Sequence, residues 1–476
     1  MSPSSDTIVA VASGLAPGAI GVVRLSGPAS SRVFFQMTGV EPIPRQAQKV
    51  VFRGITQELL DDGIALFFPG PHSFTGEDVF ELQGHGGPAV LQGLLQGVLQ
   101  YSLPDQPIRQ ARPGEFSERA FHHGKLDLLQ AQGVADLIAA SSAQAARAAL
   151  QSLRGGFSRS VLALQNILTD LRVRVEACLD FPEEDIDVVT QEQLDTRLEH
   201  LQDQFDRVFA AAQRGAALSQ GLTIGLIGAP NVGKSSLLNA LAEEELAIVT
   251  AVAGTTRDRI ASRLMIDGIP FSLVDTAGLR PSEDVVEQIG IAKSWQTLAE
   301  ADLVIWVIDA TGTHSLEPDF VQQLDQRLSE KRDVSGVAPE VLVVFNQVDR
   351  LTGEPQGADW RLWSSECLSA GPQESALFVS AKTGEGLETL RAALKQRAGW
   401  TQESGETVYS ARGRQLDALS RAQRGLVLGK ECLKQGALEL FAEHMRDVQA
   451  ALSELTGEVH SDDLLGSIFS SFCIGK

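Results

Sequence analysis

The chain has 476 residues, of which 43% are hydrophobic and 21% are charged, a composition that excludes wholesale disorder. At roughly 150 residues per domain, this length predicts about three domains. The 40 basic and 61 acidic residues give a formal net charge of −21. So acidic a chain excludes nucleic-acid binding through a general basic surface, and any such binding must be local or shared with a partner.

Residues 1–122 are predicted to form an α+β domain of short strands and loops with some helix. Runs rich in β-branched residues begin at Thr7 and at Ile20. A third apolar run, Ile64-Ala-Leu-Phe-Phe, ends at Pro69-Gly70-Pro71, a sequence typical of a turn.

The rest of the chain alternates between helical and strand–helix patterns. In residues 123–219 and again in 401–476, apolar residues recur at the spacing of a helix. Between them, residues 220–400 show apolar strands separated by segments of helix length, which predicts a parallel sheet in an α/β domain. The sequence therefore predicts one helical domain, formed by 123–219 and 401–476, with an α/β domain inserted into it.

The first strand of the inserted domain leads into a phosphate-binding motif. Gly228-Ala-Pro-Asn-Val-Gly-Lys234-Ser235 fits GxxxxGK[ST], follows a predicted strand and precedes an apolar helix. The glycines let backbone N–H groups surround phosphate oxygens, and the helix N-terminus adds positive potential. Lys234 is predicted to contact the β- and γ-phosphates, and the Ser235 hydroxyl to bind Mg²⁺.

Four further motifs follow in the order expected of a GTPase related to the translation factors. Asp275-Thr-Ala-Gly278 offers a carboxylate to Mg²⁺ and an N–H to the γ-phosphate, and Thr256 is the candidate second Mg²⁺ ligand. Asn346-Gln-Val-Asp349 is the predicted guanine-specificity loop, and Ser380-Ala-Lys382 supplies backbone to the base oxygen. The predicted GTP-binding residues are Asn231, Val232, Gly233, Lys234, Ser235, Ser236, Thr250, Ala251, Val252, Ala253, Gly254, Thr255, Thr256, Asp275, Thr276, Ala277, Gly278, Asn346, Gln347, Asp349, Ser380, Ala381 and Lys382.

Two residues depart from the usual GTPase pattern. Gln347 stands where the specificity loop normally has a lysine whose stem packs over the nucleotide, so lower nucleotide affinity is expected. Leu279 follows Gly278, where many small GTPases have the glutamine that orients the attacking water. Leucine neither donates nor accepts a hydrogen bond, so the water must be positioned by another residue.

Longer motifs resemble those of a known family. Pro230-Asn-Val-Gly-Lys-Ser-Ser-Leu-Leu-Asn239 and Ile248-Val-Thr-Ala-Val-Ala-Gly-Thr-Thr-Arg-Asp258 are similar to those of several bacterial GTPases linked to ribosomes and RNA. Three flanking segments resemble the MnmE (TrmE) family of tRNA modification GTPases, namely Phe74–Gly87, Ala111–Phe121 and Gly124–Asp127. The resemblance to this family covers essentially the whole chain. The terminal Cys473-Ile-Gly-Lys476 resembles that family as well.

The resemblance implies a specific enzyme. The family adds an aminomethyl or carboxymethylaminomethyl group to carbon 5 of the wobble uridine of tRNA, with a partner, MnmG (GidA), that uses FAD and NADH. It implies a homodimer formed through the N-terminal domain, with a tetrahydrofolate one-carbon donor (5-formyl- or methylene-tetrahydrofolate) bound between subunits. Arg24, Glu81, Lys125 and Lys476 would be the folate contacts by motif match, and Cys473 would lie in an active-site-facing tail.

The family match also bears on GTP hydrolysis. A potassium ion near the β–γ bridge would place positive charge where other GTPases use an arginine. The match implies K⁺ ligation by Asn231, Thr250, Val252 and Thr255 as two GTPase domains meet face to face. It also makes Glu287 the catalytic residue that orients water through a bridging water, alongside Lys234 on the phosphates.

Several other features favour ordinary interpretations. His85, His122 and His123 lack metal-ligand spacing and are expected to be loop or surface histidines, and residues 181–187 to be a solvated acidic loop. Four dispersed cysteines exclude a disulfide framework, and no apolar run spans a membrane, so a cytoplasmic protein is expected. Two alternatives stay open at this point: a GTP-switched ribosome-assembly or RNA-chaperone factor, and a folate-dependent enzyme in which the GTPase is only regulatory.

Overall fold

The computed structural model describes most of the residues of the chain. They are residues 6–14, 17–180, 191–229, 231–242, 262–266, 269–275, 301–312, 326, 340–351, 376–398, 408–457, 468–470, 472 and 475. The chain divides into two compact units. One comprises Met1–Ile138, Leu150–Val208 and Asp417–Lys476, and the other Ala139–Ala149 and Phe209–Leu416.

The N-terminal region folds around a mixed sheet. Its strands are β1 (Thr7–Val11), β2 (Ile20–Ser26), β3 (Gln48–Arg53), β4 (Leu59–Phe68), β5 (Val79–His85) and β6 (Ile108–Gln110). They lie in the order β3-β4-β5-β2-β1-β6, and all neighbours are antiparallel except the parallel pair β1 and β6. The helices of this region are α1 (Ser30–Thr38), α2 (Pro88–Gln100) and α3 (Glu115–His122).

Alternation of side chains gives this sheet two different faces. Val23 and Leu25 on β2, with Phe80 and Leu82 on β5, pack with the apolar sides of α1 and α2 in one buried core. The residues between them, including Arg24 and Glu81, therefore lie on the opposite face of the sheet.

Long helices follow in the chain: α4 (Leu128–Ala139), α5 (Ala143–Leu153), α6 (Gly156–Asp180) and α7 (Gln191–Gln220). In α6, Val161, Leu164, Leu168, Leu171 and Val175 are buried at helical spacing, as the sequence pattern predicts. The acidic segment 181–187 lies outside the described residues.

The second sheet begins directly after α7. Its strands are β7 (Leu222–Ile227), β8 (Ser262–Ile266), β9 (Ile269–Asp275), β10 (Leu303–Asp309), β11 (Glu340–Asn346) and β12 (Leu377–Phe378). The order is β12-β11-β10-β7-β9-β8, with only β8 antiparallel to its neighbour among these strands. Two helices, α8 (Lys234–Ala242) and α9 (Leu387–Arg397), contribute Leu237, Leu241, Leu390 and Leu394 to its core.

This topology gathers the predicted nucleotide motifs. Because β7, β9, β11 and β12 are parallel, their carboxyl ends, which precede the predicted motifs, lie at one edge of the sheet. A 3₁₀ turn, Val348–Arg350, follows β11 directly.

Helical structure resumes with α10 (Gly413–Lys434) and α11 (Leu438–Thr456). Helix α11 packs along α6, where Gln165 donates a hydrogen bond of 3.0 Å to the Ser453 hydroxyl and Arg172 donates to Gln449. The predicted fold class is confirmed: a multidomain chain with an N-terminal α+β part, a helical part and a P-loop α/β domain inserted in the helical sequence. The boundaries at residues 122, 219 and 400 stay predictions. None of the helices in the described residues contains the long apolar stretch that a membrane-spanning helix needs.

Candidate functional site

The phosphate loop connects β7 to α8 through backbone conformations that favour glycine. Gly233, immediately before α8, has a φ of +90°, and a Cβ at this position would lie 2.4 Å from Nδ2 of Asn346. Only glycine therefore allows the loop to pack against Asn346 and still turn into the helix. The start of α8 then presents backbone N–H groups to the loop, which is the arrangement that binds phosphate.

Lys234, the first residue of α8, reaches back across this loop. Its Nζ donates hydrogen bonds to the carbonyl oxygens of Gly228 at 2.7 Å and Ala229 at 2.8 Å. These contacts hold the ammonium group inside the loop that the sequence assigns to the phosphates. Ser235 and Ser236 follow it in the first turn of α8, and both are exposed.

Asn346 links the phosphate loop to the loop after β12. Its side chain is buried, with Nδ2 donating to the carbonyl of Val232 at 2.8 Å and Oδ1 accepting from the N–H of Ala381 at 3.1 Å. Both ends of the amide are thus used within the protein. Asn346 therefore fixes the spacing of the two loops on either side of it.

Asp349 is positioned by the loop after β12. The Ser380 hydroxyl donates to Oδ1 of Asp349 at 2.7 Å and accepts from the Thr383 N–H at 3.1 Å. A carboxylate only accepts hydrogen bonds, so it suits the adjacent N1–H and N2–H donors of guanine. Ser380 orients the carboxylate while Oδ2 keeps no protein donor among the described residues.

A cavity of about 550 Å³ connects these elements, a size within the range of small-molecule sites. It combines backbone of the phosphate loop with an oriented carboxylate and two basic side chains, a set that fits a guanine nucleotide. Its walls are formed by Asn231, Gly233, Ser236, Asn346, Gln347, Asp349, Arg350, Ala381 and Lys382.

The remaining predicted nucleotide residues fall into two groups. Asp275 is the last residue of β9, and its backbone pairs with Leu226 of β7. Strand β7 is the strand that leads into the phosphate loop. The others lie outside the described residues, namely Thr250, Ala251, Val252, Ala253, Gly254, Thr255, Thr256, Thr276, Ala277 and Gly278. Leu279 and the predicted catalytic residue Glu287 also lie outside them.

A second group of polar residues lies on the N-terminal sheet. Arg24 of β2 and Glu81 of β5 are paired directly across the strands, and Arg24 Nε donates to Glu81 Oε1 at 2.8 Å. The guanidinium carbon of Arg24 lies 6.0 Å from the ring centroids of both Phe74 and Phe116. The pair keeps 25% and 14% of its side-chain surface exposed, so a ligand can reach it.

Two further parts of the predicted folate site adjoin this region. The Lys125 stem packs against the loop that carries Phe74, since a Cβ at Gly76 would lie 3.5 Å from Lys125 Cγ. In the C-terminal tail, Gly475 approaches β1 so closely that a Cβ there would lie 2.2 Å from the Val11 carbonyl oxygen. Cys473 and Lys476 lie outside the described residues.

A buried ionic network beside this region was not predicted. Arg119 is 6% exposed and pairs with Asp6 at 2.9 Å, Glu77 at 3.1 Å and Glu115 at 3.2 Å. Burial raises the pKa of Glu115, but hydrogen bonds from Arg109 and the Arg112 N–H outweigh it and hold this pKa at about 2. The four-residue spacing of Glu115 and Arg119 on α3 is the one sequence signal for it.

His85 lies beside two carboxylates. Its Nδ1 is 2.7 Å from Oδ1 of Asp61, its backbone N–H donates to Oδ2 of Asp61 at 2.8 Å, and Asp62 is close by. One ligand atom from each of the three lies within 4.8 Å of the others, and His122 and His123 are outside this cluster.

The strand–loop–helix phosphate site, with base-side loops at the carboxyl ends of β11 and β12, defines a P-loop GTPase domain. Residues 7–125 match the family model described as the GTP-binding protein TrmE N-terminus, and residues 128–473 match that of the MnmE helical domain. The chain belongs to the MnmE family of tRNA modification GTPases, as predicted.

Full-length relatives agree with this assignment. The chain is 48% identical to the tRNA modification GTPase MnmE of Marinobacter nauticus, with 100% of both chains covered. It is 47% identical to that of Pectobacterium atrosepticum, over 99% of this chain and 100% of the relative, and 47% identical to that of Stutzerimonas stutzeri, over 100% of both. The predicted GTPase activity and its connection with tRNA modification are therefore confirmed.

Proposed function

We propose that this GTPase adds an aminomethyl or carboxymethylaminomethyl group to carbon 5 of the wobble uridine of tRNA. The added carbon comes from a tetrahydrofolate derivative, and the reaction uses MnmG, the FAD- and NADH-dependent partner. The observation that carries this proposal is the Arg24–Glu81 pair, which is partly exposed on the N-terminal sheet beside the exposed ring of Phe74.

The chemistry of this pair suits a reduced folate. The pterin ring presents adjacent N–H donors that a carboxylate such as Glu81 accepts, and the glutamyl carboxylates of folate pair with arginine or lysine. Phe74, which is 37% exposed, offers aromatic surface beside the guanidinium, and Lys125 lies against the loop that carries Phe74. Lys476 would complete the set from the C-terminal tail. When bound, the folate would supply the one-carbon unit.

At the nucleotide site, Lys234 binds the β- and γ-phosphates, while Ser235 and Thr256 bind Mg²⁺. The contacts of Lys234 with Gly228 and Ala229 support its assignment, because they hold its ammonium group within the phosphate loop. Potassium is bound by Asn231, Thr250, Val252 and Thr255. Glu287 orients the attacking water, a role that a glutamine at the position of Leu279 has in many small GTPases.

The assembly follows from the same proposal. The chain forms a homodimer through its N-terminal domain, with folate held between subunits, and acts with MnmG in the cytoplasm. Because the chain carries a formal charge of −21, MnmG supplies much of the basic surface for tRNA.

Calorimetry with 5-formyl-tetrahydrofolate tests the proposal on the full chain. We expect Arg24→Ala to lose folate binding. The control Arg53→Ala removes an exposed arginine of β3 in the same sheet, and we expect it to retain folate binding. Mass spectrometry of tRNA should show the wobble modification restored by wild type and by Arg53→Ala, but not by Arg24→Ala. Equal folate binding by the two variants, or absent binding by wild type, would remove the folate role.

A further inference from the structure

The position of the missing specificity-loop lysine is filled by a pair of side chains. Gln347 has a left-handed backbone conformation, with φ of +69°, and its Nε2 donates to the carbonyl oxygen of Asn231 at 2.9 Å. Its Oε1 accepts a hydrogen bond from Nη1 of Arg350 at 2.5 Å. Gln347 therefore bridges the phosphate loop and Arg350.

The 3₁₀ turn after β11 creates this arrangement. Gln347 immediately precedes the turn, and the Arg350 N–H donates to the Gln347 carbonyl at 3.0 Å. This backbone hydrogen bond brings the two side chains within reach of each other. A lysine at position 347 could not accept the Arg350 hydrogen bond, so the pair depends on the glutamine.

Arg350 contributes positive charge to the nucleotide cavity. It lines the cavity together with Gln347, Asp349 and Lys382, and Gln347 Oε1 is its one side-chain partner among the described residues. No carboxylate of the described chain neutralises this guanidinium. Its other N–H donors and its flat face are therefore available to a ligand in the cavity.

We propose that Arg350, held in place by Gln347, is a nucleotide-binding residue that replaces the specificity-loop lysine. The cavity walls around it are Asp349 and Lys382 of the base-side loops. We assign its contact to the base and ribose, because a planar guanidinium stacks on an aromatic ring where an ammonium group cannot. The ligand class is any guanine nucleotide, irrespective of its phosphate number.

A base-side contact has a specific kinetic signature. Such a contact is the same with GTP and with GDP, and it is the same in the ground state and in the transition state. It therefore stabilises both states equally, which is called uniform binding. Arg350→Ala should raise the dissociation constants of GTP and GDP by the same factor, roughly fivefold for a partly exposed cation over a ring, and raise KM with kcat unchanged. Arg397→Ala, which removes an arginine of α9 paired with Glu340 and absent from the cavity wall, should change neither constant.

Compensation by lysine gives the sharper test. Gln347→Lys restores the usual loop residue, so the double variant Gln347→Lys/Arg350→Ala should bind GTP and GDP within twofold of wild type. Fluorescent GTP and GDP analogues titrated into the full chain measure all four proteins, and thermal unfolding without nucleotide shows whether each is folded. Three outcomes would overturn the proposal: Arg350→Ala binding both nucleotides like wild type, a loss confined to GTP, or no recovery in the double variant.

Discussion

Arg24 and Glu81 face each other across β2 and β5, and the 2.8 Å bond between Nε and Oε1 holds both side chains on the face of the sheet away from α1 and α2. A cross-strand pair of opposite charges contributes roughly 0.2–1 kcal/mol to folding. The partly exposed position of this pair beside the exposed ring of Phe74 is what the proposed folate contact would use.

Glu81→Gln tests the charge of that acceptor. Glutamine keeps the size of the side chain but removes the charged acceptor, and charge-assisted hydrogen bonds are about twice as strong as neutral ones. We expect roughly tenfold weaker binding of 5-formyl-tetrahydrofolate in calorimetry, with unchanged GTP binding. Glu118→Gln is the matched control, since Glu118 of α3 pairs with the exposed Arg112 that precedes this helix. Equal affinities of the two variants would argue against Glu81 as a folate contact.

Asp349→Asn tests the reading of the base. The variant should prefer XTP over GTP. The reason is that the NH₂ group of asparagine is a hydrogen-bond donor and would face the N–H donors of guanine. A buried donor left without an acceptor costs about 1–3 kcal/mol. The Ser380 hydroxyl can still donate to the asparagine oxygen, so the loop keeps its shape. Competition binding with GTP and XTP measures the change, and a variant that still prefers GTP tenfold would show that Asp349 does not read the base.

Asn346→Ala tests the link between the loops. The substitution leaves the Val232 carbonyl and the Ala381 N–H without their buried partner, and we expect a loss of about 2–3 kcal/mol in the stability of the α/β domain. Nucleotide affinity should fall as well, because the two loops lose their fixed spacing. Thermal unfolding and GTP titration measure both effects. Asn239→Ala, at an exposed position of α8, is the control, and an identical result for the two variants would contradict this role.

Much of the nucleotide site could be predicted from the sequence, because each motif is local and the parallel sheet brings the strand ends to one edge. The partners of Gln347 could not be predicted. Its bond to Asn231 joins residues 116 positions apart and depends on the backbone of two loops. Arg119 was missed for a related reason: a charged residue is expected at the surface, and its burial follows from Asp6 and Glu77, which the fold brings to it.

The Asp61–His85 pair predicts a pH dependence. The hydrogen bond and charge of Asp61 raise the pKa of His85 above 6.5. Burial raises the pKa of Asp61, but hydrogen bonds from His85 outweigh it and lower this pKa below 3.8. The contribution of His85 to the free energy of unfolding is fully present below pH 6.5 and is lost as the pH rises through the pKa of His85 in the folded protein. That of Asp61 is present above pH 3.8 and is lost as pH falls through its folded pKa, so the pair is most stabilising between these values.

Proton NMR of the His85 ring measures this effect directly. The titration midpoint should lie above 6.5 in wild type and fall towards that value in Asp61→Asn. Asp62→Asn should lower it less, because Asp62 acts on the ring only through its charge. An unchanged midpoint in Asp61→Asn would show that the pair does not form in solution.

The last prediction concerns hydrolysis with leucine at position 279. A stabilising positive charge near the γ-phosphate gives about 10³–10⁵ in turnover in GTPases that use an arginine, so an equivalent is needed here. Under the proposed mechanism K⁺ supplies this charge, bound in part by Asn231, while Glu287 orients the attacking water. Asn231 lies on the wall of the nucleotide cavity, with its carbonyl tied to Gln347, so its placement within the phosphate loop is fixed.

GTP turnover should therefore be slow in NaCl, much faster in equimolar KCl, and dependent on protein concentration because two GTPase domains must meet. Glu287→Ala should lower turnover in KCl and leave GTP affinity nearly intact, since the residue acts on the transition state. Asn231→Ala should instead remove the difference between the two salts, because it removes a ligand of the ion and leaves Glu287 in place. Identical wild-type rates in NaCl and KCl would contradict the potassium mechanism, and full turnover by Glu287→Ala would assign water orientation to another residue.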